Sequence, residues 1–186
     1  MNDLKHQTVK GVYWSSVERF SAQGIQFILG LILARILSPS EYGIIGMLSI
    51  FIAVAQSFID SGFSNALIRK NDRTETDFST VFYFNIVTGI VAYLILYFLA
   101  PVIANFYNTP ILSKLTKVVA INVFINSLSI VQRAKLTIDV DFKTQAKATS
   151  IAVLISGLIG IYLAYKGFGV WSLALQSVSR NFINVF

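Results

Sequence analysis

The sequence predicts an all-α integral membrane protein with six transmembrane helices. Three observations predict it. Apolar residues come in long blocks, most of them reaching the ~20 residues that cross a ~30 Å hydrocarbon core. Charged residues are 13% of the chain, well below the roughly 25% usual in soluble domains. The cations gather in the short links between blocks, where membrane proteins carry the charges that set their orientation.

The blocks follow one another in order. Block one is Val9–Leu37, with Glu18, Arg19 and Arg35 inside it or at its end. It is too long for a signal-peptide core and lacks a small-residue cleavage site, so it reads as a retained first helix. Ser38-Pro39-Ser40-Glu41 ends it, because Pro39 cannot continue a helix. Block two is Tyr42–Ile68. The link Arg69–Phe78 carries six charges: Arg69, Lys70, Asp72, Arg73, Glu75 and Asp77. Block three is Ser79–Ala104, with Pro101 near its end. After the link Asn105–Ser113, block four is Lys114–Leu136. The link Thr137–Lys143 leads to block five, Thr144–Tyr165. Lys166-Gly167-Phe168-Gly169 is a tight turn, and block six is Val170–Phe186, which stops without a polar exit.

Charge asymmetry orients the six spans. Ten lysines and arginines fall on the N-terminal side: Lys5, Lys10, Arg69, Lys70, Arg73, Arg133, Lys135, Lys143, Lys147 and Arg180. Four fall on the other: Arg35, Lys114, Lys117 and Lys166. Both termini are therefore expected in the cytoplasm. The net charge of +6 belongs to this bias, and no nucleic-acid partner is expected. The chain has no cysteine, and His6 is its one histidine. Thiolate chemistry and a histidine triad are thus excluded. Gly167-Phe168-Gly169 lacks the later residues of a phosphate-binding loop. No metal or cofactor is expected.

Polar residues recur inside the blocks at helical spacing, and side chains at i, i+4, i+7 and i+11 share a face. The stripes are Ser15-Arg19-Gln23-Gln26-Gly30, Ser49-Ala53-Gln56-Asp60, Asn122-Asn126-Ser129-Arg133 and Ser172-Gln176-Arg180. One reading is hydrogen-bonding glue between helices, worth ~0.6 kcal/mol per contact on average. The other is a water-filled, cation-rich cavity open to the cytoplasm, since an intramembrane ionisable residue points to a functional site. Arg19 sits well inside the membrane if the apolar core begins at Val12, and snorkels at the interface if it begins at Phe20. Asp60 and Arg133 read as interfacial. Block five differs: Ala148, Ala152, Ser156, Gly160 and Ala164, with Gly157, form a small-residue packing face, of which Asn85-Gly89-Ala92 is a weaker version. Tyr13, Trp14, Tyr42, Tyr107, Tyr165 and Trp171 lie near block ends, as an aromatic belt does.

Several local motifs carry a resemblance. They are Gly11-Val12-Tyr13-Trp14; Leu33-Ala34-Arg35-Ile36-Leu37-Ser38-Pro39-Ser40-Glu41-Tyr42-Gly43; Asp60-Ser61-Gly62-Phe63-Ser64-Asn65-Ala66-Leu67-Ile68; Ala100-Pro101-Val102-Ile103-Ala104-Asn105-Phe106-Tyr107; Gln132-Arg133-Ala134 with Asp141-Phe142-Lys143; and Gly169-Val170-Trp171-Ser172-Leu173. In this order the chain resembles the N-terminal half of the Wzx-type polysaccharide flippases, of the multidrug/oligosaccharidyl-lipid/polysaccharide exporter superfamily. The resemblance implies one six-helix lobe, residues 1–186, of a two-lobe exporter fold, with the second lobe absent from this chain. It implies flipping of undecaprenyl-diphosphate-linked oligosaccharide across the bacterial inner membrane, for lipopolysaccharide O-antigen or exopolysaccharide. The implied partners are the lipid-linked oligosaccharide, the phospholipid bilayer, and a second lobe or a homo-oligomer.

Such a substrate has an anionic head, hydroxyl-rich sugars and an apolar tail. Arginine matches diphosphate through its fork of donors, and amides match sugars. The candidate substrate-binding residues are Arg19, Gln23, Gln26, Gln56, Asn122, Asn126, Arg133 and Gln176. An enzyme such as a polymerase or ligase would want a large outer loop, and the outer links are short, so no enzyme is expected. The alternatives are a cation-coupled multidrug antiporter of the same superfamily, with Glu18 and Asp60 as its available carboxylates, and a non-transporting structural membrane protein.

Overall fold

The computed structural model describes residues 20, 23–59, 67, 68, 70, 72, 74–139 and 142–185. All regular structure among them is α-helical: α1 (Gln23–Ile36), α2 (Pro39–Ile59), α3 (Glu75–Phe106), α4 (Ile111–Val119), α5 (Ile121–Ile138), α6 (Phe142–Tyr165) and α7 (Val170–Val185).

Local chemistry places the helix ends. Pro39 takes the first position of α2, where a missing N–H costs nothing. Glu41 reaches back to accept from the Ser38 backbone N–H at 2.6 Å and from the Ser38 hydroxyl at 2.9 Å. α3 begins inside the charged link, before the apolar stretch at Ser79, because Thr74 and Asp77 form a capping box. Asp77 N–H donates to Thr74 Oγ1 at 3.3 Å, and Thr74 N–H donates to Asp77 Oδ2 at 2.9 Å. Lys70 Nζ adds a 2.7 Å ion pair to the same oxygen. α3 then runs through Pro101 to Phe106.

The fourth apolar block divides into α4 and α5 at Ala120. Thr116 Oγ1 donates back to the Leu112 carbonyl at 2.7 Å, a contact that often bends helices. The Val123 N–H takes the Ala120 carbonyl at 3.0 Å, three residues back, as in a tighter 3₁₀ turn. Together α4 and α5 still make one apolar span, Ile111–Ile138.

Among the described residues, four stretches are long and apolar enough to cross a bilayer: Pro39–Ile59, Glu75–Phe106, Ile111–Ile138 and Thr144–Tyr165. The described part of block one, Gln23–Ile36, is shorter, as is α7. The apolar 18-residue stretch within Ile111–Ile138 is 61% buried, against 17% to 33% for the corresponding stretches of the other three. It is therefore the bundle's centre, and α5 packs on α2, α3, α4, α6 and α7. The outward faces of α3 and α6 are apolar, with Phe98, Val102, Phe106, Leu158 and Tyr162 exposed. Leu48, Leu112, Leu115 and Val170 make one core cluster. Ala55, Ile59, Ala92 and Val123 make a second.

Small residues set how closely helices approach. A Cβ at Gly89 of α3 would overlap the Ser127 hydroxyl of α5, and one at Gly157 of α6 would overlap Leu29 of α1. Gly160 of α6 lies beneath the Gln176 side chain of α7. α6 turns into α7 through Gly167 (φ +79°) and Gly169 (φ +56°), a left-handed backbone that favours glycine. The Glu41 carboxylate fills the space where a Gly169 Cβ would lie. Glu41 thereby sits at the N-terminal ends of both α2 and α7, where helix dipoles favour negative charge.

Candidate functional site

Among the described residues, two of the clefts between helices are lined by Arg180 of α7. The first, of about 390 Å³, lies between α1, α6 and α7. Gln26, Ser156, Gln176, Ser177, Arg180 and Asn181 supply its polar lining. The second, of about 340 Å³, lies between α5, α6 and α7. Ser129, Gln132 and Arg133 come from α5; Thr144, Gln145 and Thr149 from α6; Arg180 and Asn184 from α7. The Arg133 end of α5, the start of α6 and the last turns of α7 meet there, so this cleft lies at one end of the bundle.

Hydrogen bonds join distant parts of the chain around the clefts. Arg180 donates from a terminal guanidinium nitrogen to Gln26 Oε1 at 3.0 Å, tying α7 to α1. Asn122 Nδ2 of α5 donates to Ser177 Oγ at 2.9 Å. Its own carbonyl oxygen is buried without a hydrogen-bond partner. Asn126 Nδ2 donates to Gln56 Oε1 at 3.2 Å, tying α5 to α2. Gln176 is carried into the first cleft because Gly160 presents no side chain beneath it.

The structure thus sorts the residues singled out in the sequence. Gln26 and Gln176 line the first cleft, Arg133 the second, and Asn122 supports the first through Ser177. Gln56 and Asn126 pair with each other. Gln23 is exposed on the first turn of α1 and lines neither cleft. Arg19 and Asp60 lie outside the described residues. Arg180 is the residue common to both clefts, and the i+4 spacing Ser172-Gln176-Arg180 was its signal. Thr144 and Thr149 had none, because block five reads from its glycines and alanines as a packing face.

The lining chemistry is amide, hydroxyl and guanidinium. Among the described residues, no carboxylate lines either cleft. Such a surface accepts anionic and hydroxyl-bearing groups, since arginine only donates and amides both donate and accept. Among the described residues, no group of three or more histidine, aspartate or glutamate side chains is placed to hold a metal.

Comparison with known proteins gives concordant results. The polysaccharide biosynthesis protein family matches over residues 32–186. The teichuronic acid biosynthesis protein TuaB of Bacillus subtilis is 30% identical over 79% of this chain and 30% of its own length. The lipopolysaccharide biosynthesis protein WzxC of Escherichia coli is 23% identical over 97% of this chain and 36% of its own length. The succinoglycan biosynthesis transport protein ExoT of Rhizobium meliloti is 27% identical over 90% and 34% respectively. The chain therefore spans about a third of the length of these relatives. No solved structure matches.

Proposed function

The chain belongs to the polysaccharide biosynthesis protein family, and from that premise we propose that it forms one lobe of a flippase. The flippase moves undecaprenyl-diphosphate-linked oligosaccharide from the cytoplasmic to the outer leaflet of the inner membrane, in the making of surface polysaccharide. The pair of polar clefts sharing Arg180 carries this reading. A bundle whose outer faces are apolar enough for lipid keeps amides, hydroxyls and guanidiniums between its helices. Buried polar groups in lipid are costly unless they are partnered or solvated. Among the described residues the lining of both clefts is amide, hydroxyl and guanidinium, which suits a substrate with an anionic head and a hydroxylated chain better than a cationic drug.

Both termini lie in the cytoplasm on this reading, from the ten-to-four charge asymmetry. The clefted end of the bundle, with Arg133, Thr144 and Arg180, then faces the cytoplasm, where the substrate loads. Alternating access rocks one repeat against another around a shared site. The lobe therefore works against a second lobe or a second copy of itself. Gln26 and Gln176 contact sugar, Arg133 and Arg19 the charged head, and Gln56, Asn122 and Asn126 hold the walls.

Binding and flipping of a fluorescent lipid-linked oligosaccharide test the proposal. The chain in nanodiscs binds it in preference to the same polyprenyl chain without diphosphate and sugar, and Gln26→Ala with Gln176→Ala weakens that preference. In proteoliposomes the monomeric chain gives no flipping. Equal binding of the bare polyprenol refutes the reading, and flipping by the monomer refutes the need for a second wall.

A further inference from the structure

We propose that the end of the bundle where α3 ends and α4 begins binds one anionic glycerophospholipid, with Lys114 and Lys117 on its phosphate. The inference goes beyond the transport reading and needs only that the bundle spans a bilayer. It starts from a pair of cation–ring contacts. Lys117 Nζ of α4 lies 4.4 Å from the centre of the Tyr97 ring of α3. Lys135 Nζ of α5 lies 4.7 Å from the centre of the Phe78 ring, also of α3. An ammonium within about 6 Å of a ring centre is attracted by the ring's negative face. Followed along α3, or along α4 and α5, the two contacts stand about 27–29 Å apart at ~1.5 Å per residue. The hydrocarbon core of a bilayer is about 30 Å thick. The two lysines therefore mark its two borders.

The borders differ in charge. Lys135 has a carboxylate beside it, Glu75 Oε2 at 3.9 Å. Among the described residues, neither Lys114 nor Lys117 has an ion pair. The sequence holds no aspartate or glutamate between Asp77 and Asp139, so α4 and the membrane part of α3 have none to offer. Glu41, at the same end of the bundle, is engaged with Ser38 and fills the space at Gly169. Lys114 stands one turn nearer the helix end than Lys117, on the same face. It is exposed, whereas Lys117 is half-buried. A tyrosine ring carries no net charge, so two positive charges remain uncancelled at one border. An ammonium without a counter-ion is costly there, and an anionic lipid head group is the anion that a bilayer supplies at that depth.

The apolar part of such a lipid also has its place. Leu94, Phe98 and Val102 recur every four residues along α3 and are exposed, so they form one ridge on the helix surface. The Tyr97 ring stands edge-on to Phe98, with centroids 5.7 Å apart. Acyl chains lie along the ridge while the head group meets the lysines beside it. A lipid held by α4 through its phosphate and by α3 through its chains joins the two helices across their link. On the orientation proposed above, it belongs to the outer leaflet.

The two native tryptophans, Trp14 and Trp171, leave room for a single fluorescent reporter once both are replaced by phenylalanine. Phe98→Trp puts the reporter beside Tyr97, and Leu158→Trp, on the exposed face of α6, is the reference. Each variant is placed in phosphatidylcholine bilayers with a rising fraction of brominated phosphatidylglycerol, and in a second series with brominated phosphatidylcholine. Bromine quenches tryptophan on contact, so the two series give the affinity of phosphatidylglycerol relative to phosphatidylcholine at each position. At position 98 the ratio is expected at about tenfold or more, and at position 158 within about twofold of unity. Lys114→Gln with Lys117→Gln brings position 98 to the level of position 158. Lys117→Arg keeps the preference, because the charge persists, and added salt weakens it.

A ratio near unity at position 98, or equal ratios at the two positions, overturns the proposal. So does a preference that survives neutralisation of both lysines, or one that brominated phosphatidylethanolamine shares. Displacement of the quenching lipid by inorganic pyrophosphate at matched ionic strength assigns the lysines to a soluble anion. Stronger displacement by a polyprenyl diphosphate than by unlabelled phosphatidylglycerol assigns them to a transported lipid. Either result overturns it. Where the double glutamine variant fails to elute like the parent protein, Lys117→Arg and the parent's salt dependence decide, and a preference that salt leaves unchanged overturns it. The readout involves no transport and no saccharide, so this site stands or falls apart from the flippase reading.

Discussion

Gly89→Ala should destabilise the lobe, although alanine is the better helix former. The substituted Cβ would lie 2.6 Å from the Ser127 Cβ and would overlap the Ser127 hydroxyl. Carbon atoms in contact prefer about 3.5–4.0 Å, so the seam between α3 and α5 must open by roughly 1 Å. The hydroxyl cannot turn away without cost, because Ser127 is fully buried and donates to the Phe124 carbonyl at 2.7 Å. A gap of ~0.5–1 Å forfeits a quarter to a half of each dispersion contact along the seam. Overpacking of this kind costs ~1–3 kcal/mol, against ~0.8–1.0 kcal/mol returned by helix propensity. The net loss should be up to about 2 kcal/mol. Reversible unfolding by SDS in mixed micelles, followed by far-UV circular dichroism, measures it. Ser127→Gly in the same chain removes the obstacle, and a double-mutant cycle should show coupling of about 1–2 kcal/mol. Gly89→Ala above parental stability, or additive single effects, would refute a close α3–α5 seam.

Two further predictions follow from the fold and its orientation. Asp72→Cys and Asn108→Cys, made singly, should differ towards an impermeant thiol reagent in whole cells. Position 108 labels and position 72 does not if the charge asymmetry sets the topology, and the opposite pattern reverses the orientation. Gly169→Ala should cost about 1–2 kcal/mol for its left-handed backbone alone and more from overlap with the Glu41 carboxylate. In the same unfolding assay, Glu41→Ala should remove the overlap part while leaving the backbone part, and full rescue by Glu41→Ala would show that the backbone is not strained.

Local chemistry was legible in the sequence, and long-range pairing was not. The apolar blocks and polar links specified an all-helical chain because lipid offers backbone groups no partner outside a helix. Even where α3 overran its apolar block, the cause was written locally, in Thr74 and Asp77 three residues apart. The break at Ala120 was not legible. It turns on a threonine hydroxyl choosing its own backbone, and many threonines in long helices do so without a break. The stripes grouped polar residues by face, since helical period fixes which residues point together. Period cannot say which faces meet. Gln26 finds Arg180 across 154 residues, Asn126 finds Gln56 across 70, and Asn122 finds Ser177 across 55.

The resemblance motifs show the same division. Ser38-Pro39-Ser40-Glu41 and Gly169-Val170-Trp171-Ser172 lie far apart in sequence and each reads as a helix start. In the fold they share one carboxylate, because Glu41 caps its own helix and fills the space above Gly169. A glycine there is required twice, by its left-handed φ and by the side chain it makes room for. The small residues of α6 act likewise. Gly160 is a packing residue by composition, yet its packing partner is Gln176, and by yielding space it sets that amide in the first cleft. Packing and site are thus one arrangement in this lobe. A change that closes the glycine seam also moves the polar lining, so loss of binding in a Gly160 variant speaks for the site only when stability is measured beside it.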